Sequence, residues 1–359
     1  MLFISRLYFR GPPKNRKMLS YFTRNRYNRL TICALLILVF FWTSTEPTNG
    51  SAAIYSLKNT ELKITGAGEF SVITYNVAGL PGIISSAVTE RSSSIAEIGR
   101  ILNQFDIAHV QEDFNYNKYL YEKGNLHPYR TSTKGKIPFG DGLNTLSKYP
   151  VRDVRRIKWK DCTGADCFTP KGFSYSSIEV AKNVFIDFYN VHANAYNHHS
   201  AAGARRKNML QLSAYIKKNS LGNAVVLMGD LNAHYSYFYD NVGILNTENN
   251  LEDAWLANKS CGKFPVISHQ FPDDNILSVT DSCETIDKIL FRSSKDLTLR
   301  IQDYHLENRL FTSKNGLPLS DHHPVSARFQ WNLLRPDSQK TEPILALKKK
   351  SDATVLSGF

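Results

Sequence analysis

From residue 60 to residue 331 the chain alternates short apolar runs with helical stripes, and neither an internal repeat nor a long linker interrupts it. The runs FSVITYNV (70–77), IAHVQEDF (107–114), VFIDFYNVH (184–192), NAVVLMGDLN (223–232), TIDKILFR (285–292) and PVSARFQW (324–331) are rich in Val, Ile, Phe and Tyr and read as strands. Between them, Thr89–Phe105 places Ile95, Ile98, Ile101, Leu102 and Phe105 on one helical face behind a Thr cap, and Ala201–Lys218 reads as a second helix. A chain of 359 residues with 42% hydrophobic residues can bury a large core, so one layered α/β domain of about 250 to 300 residues accommodates this pattern.

The strands share a second property. Almost every one ends in a residue that can bind a metal, hold a phosphate or move a proton: Asn76, Glu112, His192, Asp230 with Asn232, and Asp321 with His322. Each has an ordinary explanation when taken alone, since Asn, Asp and Gly favour turns, a carboxylate often marks a strand's exit to solvent, and a lone His is commonly a satisfied core residue. Layered α/β folds, however, assemble sites at strand ends, and cleavage of a phosphoester needs these residue types together. Imidazole has the right intrinsic pKa to deprotonate water near neutral pH, and a carboxylate beside it fixes the tautomer. A Glu with amide oxygens suits a hard cation such as Mg²⁺, and Asn232 and His192 can donate hydrogen bonds to phosphoryl oxygens.

The net charge of +12 suggests a nucleic-acid partner until it is located. Residues 1–45 carry eight basic residues and no acid, and the tail from Arg335 adds two net charges, which leaves about +2 for residues 46–334. A large phosphate-binding face would leave its basic excess on the domain itself, so nucleic acid is disfavoured as a substrate. The basic head precedes LTICALLILVFFW (30–42), which is shorter than the ~20 residues of a spanning helix and matches the h-region of a secretory signal. Cleavage between Thr43 and Ala53 gives a secreted protein, and an uncleaved signal gives a type II membrane anchor. Met1 and Met18 are both candidate starts. The expected organisation is a head at 1–45, a linker at 46–67, a catalytic domain at 68–331 and a polar, Lys-rich tail at 332–359.

Export makes the cysteines informative. Outside the signal run there are four, and the expected pairing is Cys162–Cys167 as a loop clasp with Cys261–Cys283 as a second bridge; their spacing does not suit zinc. Asn49-Gly-Ser and Asn258-Lys-Ser are glycosylation sequons in that setting.

In order, TYNV, VQED, NVHANA, GDLNA and LSDHHPV resemble the endonuclease/exonuclease/phosphatase superfamily across roughly residues 68–331. The resemblance implies a four-layered α/β sandwich of two mixed β-sheets flanked by helices. It implies Glu112 as main ligand of Mg²⁺, or of Mn²⁺ or another divalent cation, assisted by Asn76. It further implies Asp230 and Asn232 positioning water and phosphate, His192 stabilising the phosphoryl group, and His322 as general base held by Asp321. Asp287 in ETIDKIL is a supporting residue, and His323 occupies a variable position. The stretches between the motifs resemble secreted neutral sphingomyelinases, through Asp141-Gly142, a Ser-Lys-x-Pro, and a Cys near Lys171-Gly172-Phe173. Bacterial members carry an aromatic-tipped hairpin before the final Asp-His, where this chain offers only Leu310 and Phe311.

The implied activity is hydrolysis of sphingomyelin to ceramide and phosphocholine by water attack on phosphorus. The implied partner is a phospholipid at a membrane surface, touched through Leu310 and Phe311 or the NVAGLPGII loop, with no obligate protein partner. A secreted deoxyribonuclease-like endonuclease and a non-catalytic lipid-binding module are the competing readings.

Overall fold

The protein's structure, a computed structural model, describes residues 54–56, 61–272 and 279–334. The apolar run at 30–42, read as a secretory signal, the Asn49 sequon and the tail beyond residue 334 lie outside the described residues. Thirteen strands are described: β1 (Ile54–Ser56), β2 (Ala67–Asn76), β3 (Ile107–Gln111), β4 (Tyr129–Thr131), β5 (Asn144–Ser147), β6 (Val151–Lys158), β7 (Gly172–Ala181), β8 (Val184–His192), β9 (Val225–Asp230), β10 (Glu252–Asp253), β11 (Asp287–Arg292), β12 (Leu297–Leu306) and β13 (Val325–Leu333). They form one sheet of order β1-β4-β5-β3-β2-β13-β12 and a second of order β10-β11-β9-β8-β7-β6. Both sheets are mixed, with β2–β3 and β8–β9 parallel and their other neighbours antiparallel. The helices are α1 (Arg91–Ile101), α2 (Asn117–Glu122), α3 (His199–Asn219), α4 (Ile244–Asn249) and α5 (Ala254–Asn258).

Alternation along each strand sorts the side chains into layers. On β2, Ile73 and Tyr75 face α1 and pack with Ile95, Ile98 and Leu102, while Phe70 and Val72 face the other sheet. Phe70 meets Phe188 of β8 at a centroid distance of 6.1 Å and Phe329 of β13 at 5.6 Å. On the far side, α3 lays Tyr215 against Phe173 of β7 at 5.1 Å. The result is helix, sheet, sheet, helix, the four-layered sandwich expected.

Most element ends shift by a few residues from the sequence reading, and three differences bear on the domain's edges and its first helix. Ile54–Ser56, assigned to a linker, pairs with β4 and belongs to the first sheet, and β13 runs on to Leu333. Helix α1 is capped by the Glu90 carboxylate, which accepts from the N–H groups of Ser92 and Ser93; Thr89 instead bonds the Ser94 hydroxyl. Glu90's longer side chain reaches both free N–H groups, which a Thr one residue earlier does not do here.

The face between the sheets changes character along its length. Reading inward-facing residues toward one edge, β2 gives Phe70, Val72, Thr74 and Asn76; β8 gives Phe188, Asn190 and His192; β9 gives Val226, Met228 and Asp230. The apolar core therefore becomes polar within a few residues. Gln111 of β3 spans the gap, donating to Asn190 Oδ1 at 2.8 Å and Thr74 Oγ1 at 2.9 Å. Close approach of β8 and β9 at this end depends on Gly229, where a Cβ would lie 2.0 Å from the Val191 carbonyl oxygen. Gly229→Ala is expected to destabilise the fold by about 2 kcal/mol, because backbone must move to admit the methyl. A denaturant midpoint unchanged from the parent would contradict it.

Candidate active site

Topology collects the polar strand ends at one edge. β2, β3, β8 and β9 finish there, whereas the antiparallel β11 and β13 begin there. His192 and Asp287 are both register partners of Asp230, and Val325, just after the Asp-His pair, is the partner of Thr74. Two of the site residues sit in the left-handed region, Glu112 at φ 56° and Asn232 at φ 49°. For a Glu this conformation is uncommon and is held by its surroundings. Gly79 admits it, since a Cβ there would lie 2.2 Å from the Glu112 carbonyl oxygen, and Gly142 packs against the Glu112 Cα.

The amide of Asn76 lies at the centre. Its Nδ2 donates to Glu112 Oε1 at 3.2 Å and to Asp230 Oδ2 at 3.1 Å, and Oδ1 accepts from the Ala78 N–H at 3.1 Å. His192 Nε2 stands 3.5 Å from Asp230 Oδ2 and 3.9 Å from Glu112 Oε1. His322 Nδ1 is 2.8 Å from Asp287 Oδ2, and its Nε2 is 3.8 Å from Asp230 Oδ2. Donor atoms of Asp230, Asp287 and His322 all lie within 4.8 Å of one another.

These distances correct one assignment. The carboxylate that orients His322 is Asp287, not Asp321, whose Oδ1 accepts from the Ser320 hydroxyl at 3.3 Å. Asp321 lies in the bend that precedes β13, where its carboxylate is engaged by Ser320, while Asp287 at the start of β11 reaches the His322 ring. Asp321 still contributes through its charge.

Burial governs the electrostatics. Desolvation pushes Glu112 above the usual carboxylate range, against the opposing charge of Lys171, and pushes Asp230 up to about 6. His192 is held far below the ordinary imidazole value by burial, reinforced by the positive charges of Lys171 and His322, and is therefore neutral. Burial alone would depress His322 too, but the charges of Asp287, Asp230 and Asp321 outweigh it and raise its pKa well above the ordinary value.

The remaining predicted residues brace this centre. Asn232 donates from its backbone N–H to Asp230 Oδ1 at 2.9 Å and from Nδ2 to the Ala193 carbonyl at 3.3 Å. Asp141 pairs with the buried Arg156 at 2.6 Å and accepts from the Leu143 N–H, so it holds the loop under Glu112 rather than facing the cleft. Lys171 is paired with Asp166 at 2.8 Å. Asp166 was not singled out in the sequence, although CTGADC places it inside the Cys162–Cys167 loop. That disulfide is formed; the second is not, since Cys261 and Cys283 are free thiols. Trp159, also missed, donates its indole N–H to the His192 carbonyl at 2.7 Å. The Asn258 sequon is half-buried, with its amide bonded to the Gln302 carbonyl.

Residues 82–260 match the profile of Endonuclease/Exonuclease/phosphatase family 2. That segment is a domain of the endonuclease/exonuclease/phosphatase family. Within it the chain is similar to the sphingomyelinase of Mycobacterium bovis, with 36% identity over 274 residues that cover 74% of this chain and 54% of that protein. The chain thus spans about half the length of the mycobacterial relatives it matches. Sphingomyelinase C from Streptomyces griseocarneus shares the fold at a TM-score of 0.52 and 18% identity, covering 73% of this chain and 99% of that one. Beta toxin from Staphylococcus aureus with bound magnesium ions does so at 0.51 and 18%, covering 72% and 99%.

Proposed function

We propose that the chain is a divalent-metal-dependent phosphodiesterase of the sphingomyelinase type, releasing phosphocholine from sphingomyelin. The observation that carries the reading is the His322–Asp287 contact of 2.8 Å, with the other ring nitrogen 3.4 Å from the Asn76 amide and 3.8 Å from Asp230, beside Glu112 and His192. Similarity to a sphingomyelinase supports the substrate, and the near-neutral charge of residues 46–334 argues against DNA.

The donor set fits a hard cation. Glu112 and Asp230 both direct a carboxylate oxygen at the Asn76 N–H₂ group, with the neutral His192 ring beside them. Rotating that amide by half a turn would present its oxygen instead. Glu112, Asp230 and the turned Asn76 would hold Mg²⁺, the ion carried by a fold neighbour, with Mn²⁺ as an alternative. Such an ion supplies charge stabilisation for the phosphoryl oxygens and the departing alkoxide.

The chain's own groups divide the rest. His322 Nε2 accepts a proton from water as its oxygen attacks phosphorus, and Asp287 holds the Nδ1 proton and stabilises the imidazolium. Asp230 orients that water. The neutral His192 and the Asn232 amide donate to phosphoryl oxygens as negative charge builds. The phosphorus–oxygen bond to ceramide then breaks, the ceramide oxygen takes a proton from water at the site, and the His322 imidazolium gives its proton back to solvent as phosphocholine leaves.

The Cys162–Cys167 bridge supports an exported, oxidising location. No helix among the described residues is long and apolar enough to cross a membrane. The test is parallel hydrolysis of sphingomyelin, phosphatidylcholine and double-stranded DNA with Mg²⁺. Phosphocholine release from sphingomyelin with negligible DNA nicking is the expected result. DNA nicking without lipid turnover would replace this reading with the endonuclease, and activity on none of the three would favour a lipid-binding module.

A further inference from the structure

Phe311, offered by its sequence position as a membrane contact, is 1% exposed and packs edge-on against Tyr75 at 4.8 Å. Leu310 is partly buried against the same cluster. The turn that follows, with Thr312 bridged to Pro318, carries Lys314, Asn315 and Gly316 at its exposed tip. The segment before the final Asp-His therefore turns its aromatic residue inward.

A neighbouring loop does the opposite. After Asn76 the chain runs through VAGLPGIISSAVT (77–89) with no charged residue. Ile83 is 94% exposed, Ile84 57% and Val88 64%, and Leu317 at the edge of the adjacent turn is 45% exposed. The two segments are fastened together by the buried Arg91, whose guanidinium donates to the carbonyls of Val77 at 2.6 Å, Ala78 at 3.0 Å and Leu319 at 2.9 Å. Thr89 adds a bond to the Pro318 carbonyl at 3.2 Å. The apex itself is a hydrogen-bonded turn, with Ile84 N–H on the Pro81 carbonyl at 2.9 Å and Gly82 N–H on the Tyr116 hydroxyl at 3.2 Å. Both segments leave directly from catalytic residues, and the Ser320 hydroxyl ties them to the Asn76 carbonyl at 2.7 Å.

We infer that Ile83, Ile84, Val88 and Leu317 form a fixed apolar platform at the mouth of the active site that docks on a zwitterionic lipid bilayer. The inference rests on the lipid-phosphodiesterase reading. Large aliphatic side chains held outward on an ordered loop mark an interaction surface. Residues 77–89 carry no charge and the guanidinium of Arg91 beyond them is buried under three carbonyls, which matches a surface of no net charge. Apolar side chains that reach the boundary between headgroups and acyl chains would leave the adjoining pocket at headgroup level, where the phosphodiester lies. Arg91 is a positioning residue for the platform.

The test is flotation of the full chain with sphingomyelin–cholesterol and phosphatidylcholine vesicles in EDTA, where hydrolysis is absent. The parent is expected to float, and Ile83→Ser/Ile84→Ser to partition at least about tenfold less. Turnover of short-chain sphingomyelin below its micelle concentration should be unchanged in the variant. Ile83→Trp should show a blue-shifted emission on addition of vesicles. Flotation of the double variant at the parent's level would overturn the inference. So would a parent that does not float, one that floats only with acidic vesicles, or one whose Ile83 and Ile84 instead mediate self-association. Flotation that depends on Ile83 and Ile84, without turnover of the monomeric lipid, would keep the platform and remove the enzyme.

Discussion

Replacing His322 with alanine is expected to lower kcat by at least ~100-fold and leave the melting profile nearly unchanged. The ring is the one group at the site held through one nitrogen by a carboxylate while the other lies near the Asn76 amide and Asp230. Its loss removes the proton acceptor without opening the apolar core, because the inward face is already polar at this end. Asp230→Asn is expected to match the loss, since it removes both the carboxylate facing Nε2 and a bond to Asn76. Asp287→Asn separates positioning from chemistry. A base works in its deprotonated form, so activity should rise with pH through the His322 pKa, which the carboxylates hold above the ordinary value. Removing the Asp287 charge should move that acid limb to lower pH while kcat falls at every pH. Parent-like turnover in His322→Ala, or an acid limb that does not move in Asp287→Asn, would refute the assignment.

The second large effect concerns Glu112. Glu112→Gln is expected to abolish the Mg²⁺ binding isotherm in calorimetry and to lower turnover by at least ~100-fold. Gln keeps the length and the contact with Asn76 but loses the charge that attracts a hard cation. The left-handed backbone at this position is set by Gly79 and Gly142, so it persists in the variant. An unaltered isotherm would move the cation off Glu112 and onto the Asp230, Asp287 and His322 group. Binding of Mg²⁺ by the parent without turnover of any phosphodiester would favour a lipid-binding module.

Much of the sandwich is legible in the sequence because its central strands are buried on both faces and read as dense apolar runs. FSVITYNV and VFIDFYNVH are examples, and VFIDFYNVH coincides with β8. The edges are harder to read. Ile54–Ser56 is three residues long with mixed exposure, so it carries neither length nor alternation. The site is legible as a set of strand ends, but not as a set of pairs. Asp321 and His322 are neighbours in the chain but Asp321 accepts from Ser320, whereas Asp287 and His322 are separated by 35 positions and touch. Thiol pairing fails for the same reason: an even number of cysteines does not reveal which sulfurs meet. The Cys162–Cys167 loop is short enough to close locally, and Cys261 and Cys283 remain apart.

The passage from phenylalanine to asparagine, histidine and aspartate along the inter-sheet face also ties folding fidelity to turnover. A strand shifted by one residue in this sandwich would bury Ile73 and Tyr75 between the sheets and turn Thr74 and Asn76 toward α1, and equivalent slips would affect β8 and β9. Because both faces of these strands are apolar for most of their length, burial of hydrophobic area penalises such a slip only weakly. The polar end penalises it strongly, because Gln111, Asn190 and Asp230 would lose their partners in a dry interior. The active-site end thereby acts as the alignment key of the two sheets, and variants that soften it are expected to yield misregistered chains as well as inactive ones.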